Sequence, residues 1–147
     1  MADFDHLKLE NQLCFPLYTA SRLVVRSYTP LLKQLGITYP QYLVMLVLWE
    51  HKTLAVTQIT KFLLLDTSTL TPLLKRLEKM NLIWRKRSET DERVVMIGLT
   101  EKGEKLQQEA SLIPSQLVEG LKFSEEELIQ LYQLLYKYIH QFVNPVE

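Results

Sequence analysis

A chain of 147 residues with 47% apolar content matches one domain with a single core and is too short for two ordinary ones; its four glycines, six prolines and lack of low-complexity sequence confine disorder to the ends. Seventeen Lys and Arg balance seventeen Asp and Glu, which by total charge argues mildly against nucleic-acid binding, although the distribution decides. The single cysteine, Cys14, excludes an internal disulfide and a multi-cysteine zinc site; with no apolar run of membrane length and a polar, acidic N-terminal stretch, the expected location is the cytoplasm, with no membrane partner.

The first long element is a helix from about Leu13 to Leu35, with Leu17, Leu23, Val24, Leu31 and Leu32 at helical spacing. Pro16 must sit in its first turn, where a missing donor costs nothing, so Cys14 falls at the helix N-terminus; Pro30 is expected to bend or interrupt the far end, and Gly36 to stop it. Thr38 caps a second helix with Pro40 in its first turn, and YLVMLVLW is apolar on every face, which places Tyr42 to Trp49 at the centre of the domain or its dimer. VTQITKFLLL reads as a short helix. LDTSTLTPLLKRLEKMNLI reads as a longer one, with Leu70, Leu73, Leu74 and Leu77 as its buried stripe and Thr71, Lys75, Arg76 and Lys79 outward. If Thr69 is the cap, Pro72 is the third helical residue and Asp66 to Ser68 form a lead-in turn.

Beyond Asn81 the period changes: IWRKR and VVMIGL are β-rich and flank the polar SETDER, which predicts a two-stranded hairpin with a mobile tip. Thr100 caps EKGEKLQQEASLIPSQLVEGL, weakened by Gly103 and bent near Ile113 by Pro114, and Ser124 with Glu127 forms a capping box ahead of a last helix reaching about Val143. The fold class is therefore mainly α with a small β-hairpin wing: two short helices and a hairpin make a winged helix-turn-helix, whose second helix enters the major groove. The apolar terminal helices, with Tyr132, Leu135, Tyr136 and Ile139, need a partner, and a second copy is the simplest. We expect one domain over residues 1–147, with dimerisation helices at about 1–36 and 112–147 around a winged helix-turn-helix at about 37–100.

Between Lys75 and Arg93 seven cations (Lys75, Arg76, Lys79, Arg85, Lys86, Arg87, Arg93) face four anions, so the positive charge that phosphates require is local. Thr67, Ser68, Thr69, Thr71, Lys75 and Arg76 suit base edges or flanking phosphates; of Arg85, Lys86 and Arg87, which alternate along a strand, only some can face DNA. Arg93 at the tip suits a narrow minor groove, with Asp91 holding its guanidinium.

LDTSTLTPLLKRLEKMNLIWRKRSETDERVVMIGLTEKG resembles the helix, wing and next helix start of the multiple-antibiotic-resistance regulator (MarR) family, including the DxR wing pair at Asp91 and Arg93. KLENQLCFPLYTASR together with LGITYPQYLVMLVLWE resembles the single-cysteine organic hydroperoxide resistance regulators (OhrR) and related oxidant-responsive staphylococcal regulators. The resemblance implies a homodimeric repressor of a palindromic operator, released when organic hydroperoxide oxidises Cys14, with Tyr28 and Tyr39 hydrogen-bonding the sulfur across the subunit boundary. Two positions depart from the pattern: Pro16, where a helix-compatible apolar residue is expected, and Ser68, where Gly is common.

A peroxide reacts with thiolate, which a helix N-terminus, a cation or hydroxyl donors can stabilise. With no second cysteine in the chain, the sulfenic acid goes on to a small-thiol adduct, a sulfenamide or over-oxidation. Taken alone, a lone cysteine reads as a small buried hydrophobe and the tyrosines as packing residues. Three rivals remain: a repressor that binds an aromatic or phenolic ligand, with Cys14 incidental; a thiol peroxidase; and a global regulator of virulence or surface genes that senses general oxidants. The sequence argues against an enzyme, since it offers no resolving thiol, no glycine-rich phosphate loop and only the scattered His6, His51 and His140; no metal or cofactor is expected.

Overall fold

The structure is a computed structural model and describes residues 3–144; residues 1–2 and 145–147, the outer ends of the two expected dimerisation segments, lie outside it. Two 3-10 turns, Asp5–Leu7 and Leu9–Asn11, lead into helix α1, Cys14–Lys33. Pro16 is its third residue, as expected. Pro30 does not interrupt it: the helix runs on to Lys33 and ends before Gly36, whose φ of +71° suits a residue without Cβ. Only one further turn follows Pro30, so the lost backbone bond falls where the helix is about to end anyway.

Helix α2, Tyr39–His51, opens on the expected cap as a full capping box: the Gln41 amide donates to Thr38 Oγ1, and the Thr38 amide to Gln41 Oε1. Tyr42, Val44, Met45, Leu48 and Trp49 are buried at the centre of the core. Leu46 is exposed in the single chain and lines a hollow that the junction of the later helices closes on one side.

The sheet has one strand more than the expected hairpin. Strand β1, Thr53–Ala55, pairs antiparallel with β3, Val95–Leu99, which also pairs with β2, Ile83–Arg87, giving the order β1-β3-β2. Three residues, TLA, are too few to carry an alternating pattern. Between β1 and β2 lie α3, Val56–Leu63, and α4, Thr67–Lys79.

The cap of α4 differs from expectation. It is Asp66, whose Oδ1 accepts the Thr69 amide at 2.9 Å, so Thr67 to Thr69 are helical and Pro72 is the sixth residue. A carboxylate two residues upstream of Ser68 meets the first-turn donors better than a threonine hydroxyl inside that turn, and the helix absorbs the one backbone bond that Pro72 removes. Leu70, Leu74 and Leu77 are fully buried and Leu73 half-buried, each of the three contributing about 1.5–3 kcal/mol by burial.

After β3 come α5, Glu101–Ala110, α6, Ile113–Glu119, and α7, Glu125–Ile139. The expected bend is a full break at Ser111–Leu112, with Pro114 in the first turn of α6. Ser124 and Glu127 form the expected box, Ser124 Oγ accepting the Glu127 amide at 3.1 Å and Glu127 Oε2 the Ser124 amide at 2.8 Å. No described residue of α7 is buried within the chain.

Candidate nucleic-acid interface and cysteine site

Helix α4 presents its N-terminus outward. Thr67, Ser68 and Thr69 are exposed there, with Lys75 and Arg76 exposed further along, whereas Thr71 is half-buried and donates its hydroxyl to the Thr67 carbonyl at 2.8 Å. Free first-turn amides and the helix dipole make such an end attractive to phosphate. Asp66 organises it: hydrogen bonds from the Thr69 hydroxyl, the Thr69 amide and the Ser68 hydroxyl hold its carboxyl below the usual carboxylate range. A depressed folded-state pKa contributes stability that is present above the ordinary carboxylate pKa and lost as pH falls through the folded value. Asp66→Ala is therefore expected to melt below the wild type at pH 7, with the gap closing as both are acidified; a gap equally wide at acid pH would refute the assignment of the cap to the ionised carboxylate.

The wing supplies the second cationic element. Ile83, Arg85 and Arg87 share one face of β2, and Trp84 and Lys86 the other, as the alternation of a strand requires. Arg85 is half-buried in a groove with Glu78, Lys86 and Arg87, its Nε without a hydrogen-bond partner among the described residues. Lys86 lies instead over the Trp84 ring, 5.3 Å from its centre, and Trp84 in turn covers Gly98, where any Cβ would collide with the indole. Arg85 and Arg87 thus share one face of β2 and Lys86 alternates to the other, while all three border the same groove beside Glu78 and Val95. At the tip, Arg93 donates from its amide and Nε to Asp91 Oδ1 at 3.0 and 3.2 Å and from Nη2 to Oδ2 at 3.4 Å, and Arg87 Nη1 donates to the Glu92 carbonyl at 2.7 Å. The guanidinium beside it holds the Asp91 carboxyl below the usual range. The Arg93 side chain is 91% exposed, with its guanidinium oriented by Asp91.

Cys14 is the first residue of α1 and is exposed, unlike the buried apolar cysteine that composition alone would suggest. Tyr28 and Tyr39 pack with ring centres 4.6 Å apart, and Tyr42, which the sequence reading did not include, completes the group at 5.7 Å from Tyr28 and 6.3 Å from Tyr39. Its signal was the three-residue spacing from Tyr39 on one helix. Burial, reinforced by Tyr39 and Tyr42, pushes the Tyr28 phenol up to about 12, and burial raises Tyr39 and Tyr42 as well, so all three are neutral hydroxyl donors around neutral pH. Fourteen steps of continuous helix from Cys14 to Tyr28 correspond to about 21 Å, beyond the reach of both side chains. Within one chain the cysteine and the tyrosines do not meet.

The family described as "Transcriptional regulator SarA/Rot" matches residues 26–110. The organic hydroperoxide resistance transcriptional regulator of Bacillus subtilis (strain 168) is 56% identical over 133 residues, covering 90% of each chain. The HTH-type transcriptional regulator MgrA of Staphylococcus aureus is 42% identical over 144 residues, covering 97% of this chain and 98% of its own. Reduced AbfR bound to DNA, a protein of Staphylococcus epidermidis, superimposes with a TM-score of 0.77 at 37% identity, covering 92% of this chain and 94% of its own; AbfR structures also include an overoxidised form on DNA and a disulfide form. With its winged fold, its paired Asp91 and Arg93 and its single cysteine at the head of α1, the chain belongs to the SarA/Rot and MarR-type winged-helix transcriptional regulators, in the single-cysteine organic hydroperoxide resistance group.

Proposed function

We propose that the protein is a cytoplasmic homodimeric repressor that binds a palindromic operator and leaves it when an organic hydroperoxide oxidises Cys14. The observation that carries this reading is the separation of an exposed thiol from its own neutral tyrosine cluster by most of a rigid helix, in a chain so similar to a hydroperoxide regulator. A second copy running antiparallel brings each cysteine to the other's Tyr28 and Tyr39, whose hydroxyls then donate to the sulfur. The unpartnered apolar residues of α1 and α7 supply the contact surface. On this reading residues 1–36 and 112–147 form the dimer and residues 37–100 the DNA-binding head. Thr67, Ser68, Thr69, Thr71, Lys75 and Arg76 meet the major groove, Arg85 and Arg87, on one face of β2, the backbone, and Arg93, braced by Asp91, the minor groove.

The thiolate attacks the terminal oxygen of the hydroperoxide; the O–O bond breaks, the alkoxide leaves and takes up a proton as the alcohol, and sulfur retains the hydroxyl as a sulfenic acid. A small thiol then displaces water to give a mixed disulfide. The added group has no room between the tyrosines, and their displacement changes the spacing of the two heads.

The hollow lined by Tyr42, Leu46, Trp49, Gln107 and Pro114 favours a second reading, a repressor that answers a small aromatic ligand with Cys14 incidental. Fluorescence anisotropy on a duplex from the protein's own promoter, with and without cumene hydroperoxide and a small thiol, tests the first. Release after about one equivalent of peroxide per subunit supports it, turnover of many equivalents marks a peroxidase, and tight binding indifferent to oxidant favours the ligand reading.

A further inference from the structure

One buried hydrogen bond connects the two halves of the proposed switch. Trp49, 6% exposed near the end of α2, donates its indole N–H to the Gly103 carbonyl on α5 at 2.9 Å. On one side the indole meets Tyr42 edge-on, ring centres 6.4 Å apart, and Tyr42 is the third member of the cluster with Tyr28 and Tyr39, so an unbroken row of rings runs down to Trp49. On the other side, the start of α5 is locked to the turn that joins α4 to β2. The Thr100 amide donates to the Leu82 carbonyl at 3.1 Å, the Thr100 hydroxyl to the Asn81 carbonyl at 2.6 Å, and Lys102 Nζ to the Met80 carbonyl at 3.0 Å. Gly103 lies so close to Leu82 that a Cβ would collide with its carbonyl oxygen. Apolar contacts along α2 can slide by small steps; a buried hydrogen bond beside a backbone contact with no clearance has one register.

We propose that Trp49 is the positioning residue that transmits the state of the tyrosine cluster to the recognition helix and wing. Displacement of Tyr28 and Tyr39 shifts α2; the Trp49 bond carries the shift to Gly103, and the Met80–Leu82 turn moves with the start of α5, redirecting α4 and β2 together. The inference rests on the oxidant-released repressor reading above.

The test uses the full-length protein. Trp49→Phe keeps the ring and removes the donor. It is expected to bind DNA in the reduced form within about threefold of wild type, to lose Cys14 thiol to cumene hydroperoxide at the wild-type rate, and to show its release factor cut by about tenfold, within the usual range of a coupling between sites. In a Trp84→Phe background Trp49 is the only tryptophan, and its emission is expected to shift when Cys14 is oxidised, with no DNA present. Unchanged emission on oxidation, or a Trp49→Phe protein released by the same factor as wild type, overturns the proposal. If the wild type is not released by oxidant but Trp49 emission still shifts on oxidation, the repressor reading fails and the link stands.

Discussion

Cys14→Ser stays on its operator at hydroperoxide concentrations that release the wild type completely. The substitution exchanges sulfur for oxygen in a side chain of nearly the same shape at the exposed first residue of α1, so neither the core nor the helix start is disturbed. Serine cannot form a sulfenic acid, and with no other cysteine in the chain no second thiol can take over. The oxidant-dependent change in affinity, on the usual scale of about 5–150-fold for coupled sites, is therefore expected to vanish while reduced-state binding is kept. Anisotropy titrations of both proteins before and after peroxide check this. Equal release of the serine variant would move the signal away from Cys14, toward a ligand in the hollow beside Tyr42 and Trp49.

Strong periodicity made most of the fold legible. Thr38, Thr100 and Ser124 stand as caps where the sequence put them, and the leucine stripe of α4 is buried as its spacing requires. What escaped was either short or settled between segments. Strand β1 has three residues and exists because β3 offers a free edge, something the sequence of TLA does not contain. The start of α4 lies upstream of the position Pro72 suggests, because the carboxylate of Asp66 outweighs the bond a sixth-position proline removes. The local excess of cations along α4 and β2 is legible in the sequence, but the alternation that lays Lys86 over Trp84 and puts Arg85 and Arg87 on one face follows from strand register. Gly103 was read as a weak point of its helix; against Leu82 it is the one residue that lets α5 seat on the turn.

Leu131→Arg combined with Leu135→Arg is expected to give a folded monomer with almost no hold on a full palindrome. These two residues lie one turn apart on α7, and both are exposed in the single chain, as are Tyr132, Leu134 and Tyr138 on the same helix and Leu17, Leu23 and Val24 on α1. So much apolar surface on two helices, with no buried described residue in α7, is costly in water, and the proposed dimer covers it. Two guanidinium groups placed there must either be desolvated without partners or hold the subunits apart. The head keeps its own core of Met45, Leu48, Leu70, Leu74, Leu77 and Ile97, to which α7 contributes nothing, so its melting should persist. Each head alone then binds one half-site, and the gain from linking two heads, about 10²–10⁴ in affinity, is lost. Sedimentation velocity reports the mass, and anisotropy on whole and half operators reports the affinity. A double variant that still sediments as a dimer would place the subunit contact off α7, and with it the route by which Cys14 reaches the tyrosines of a second chain.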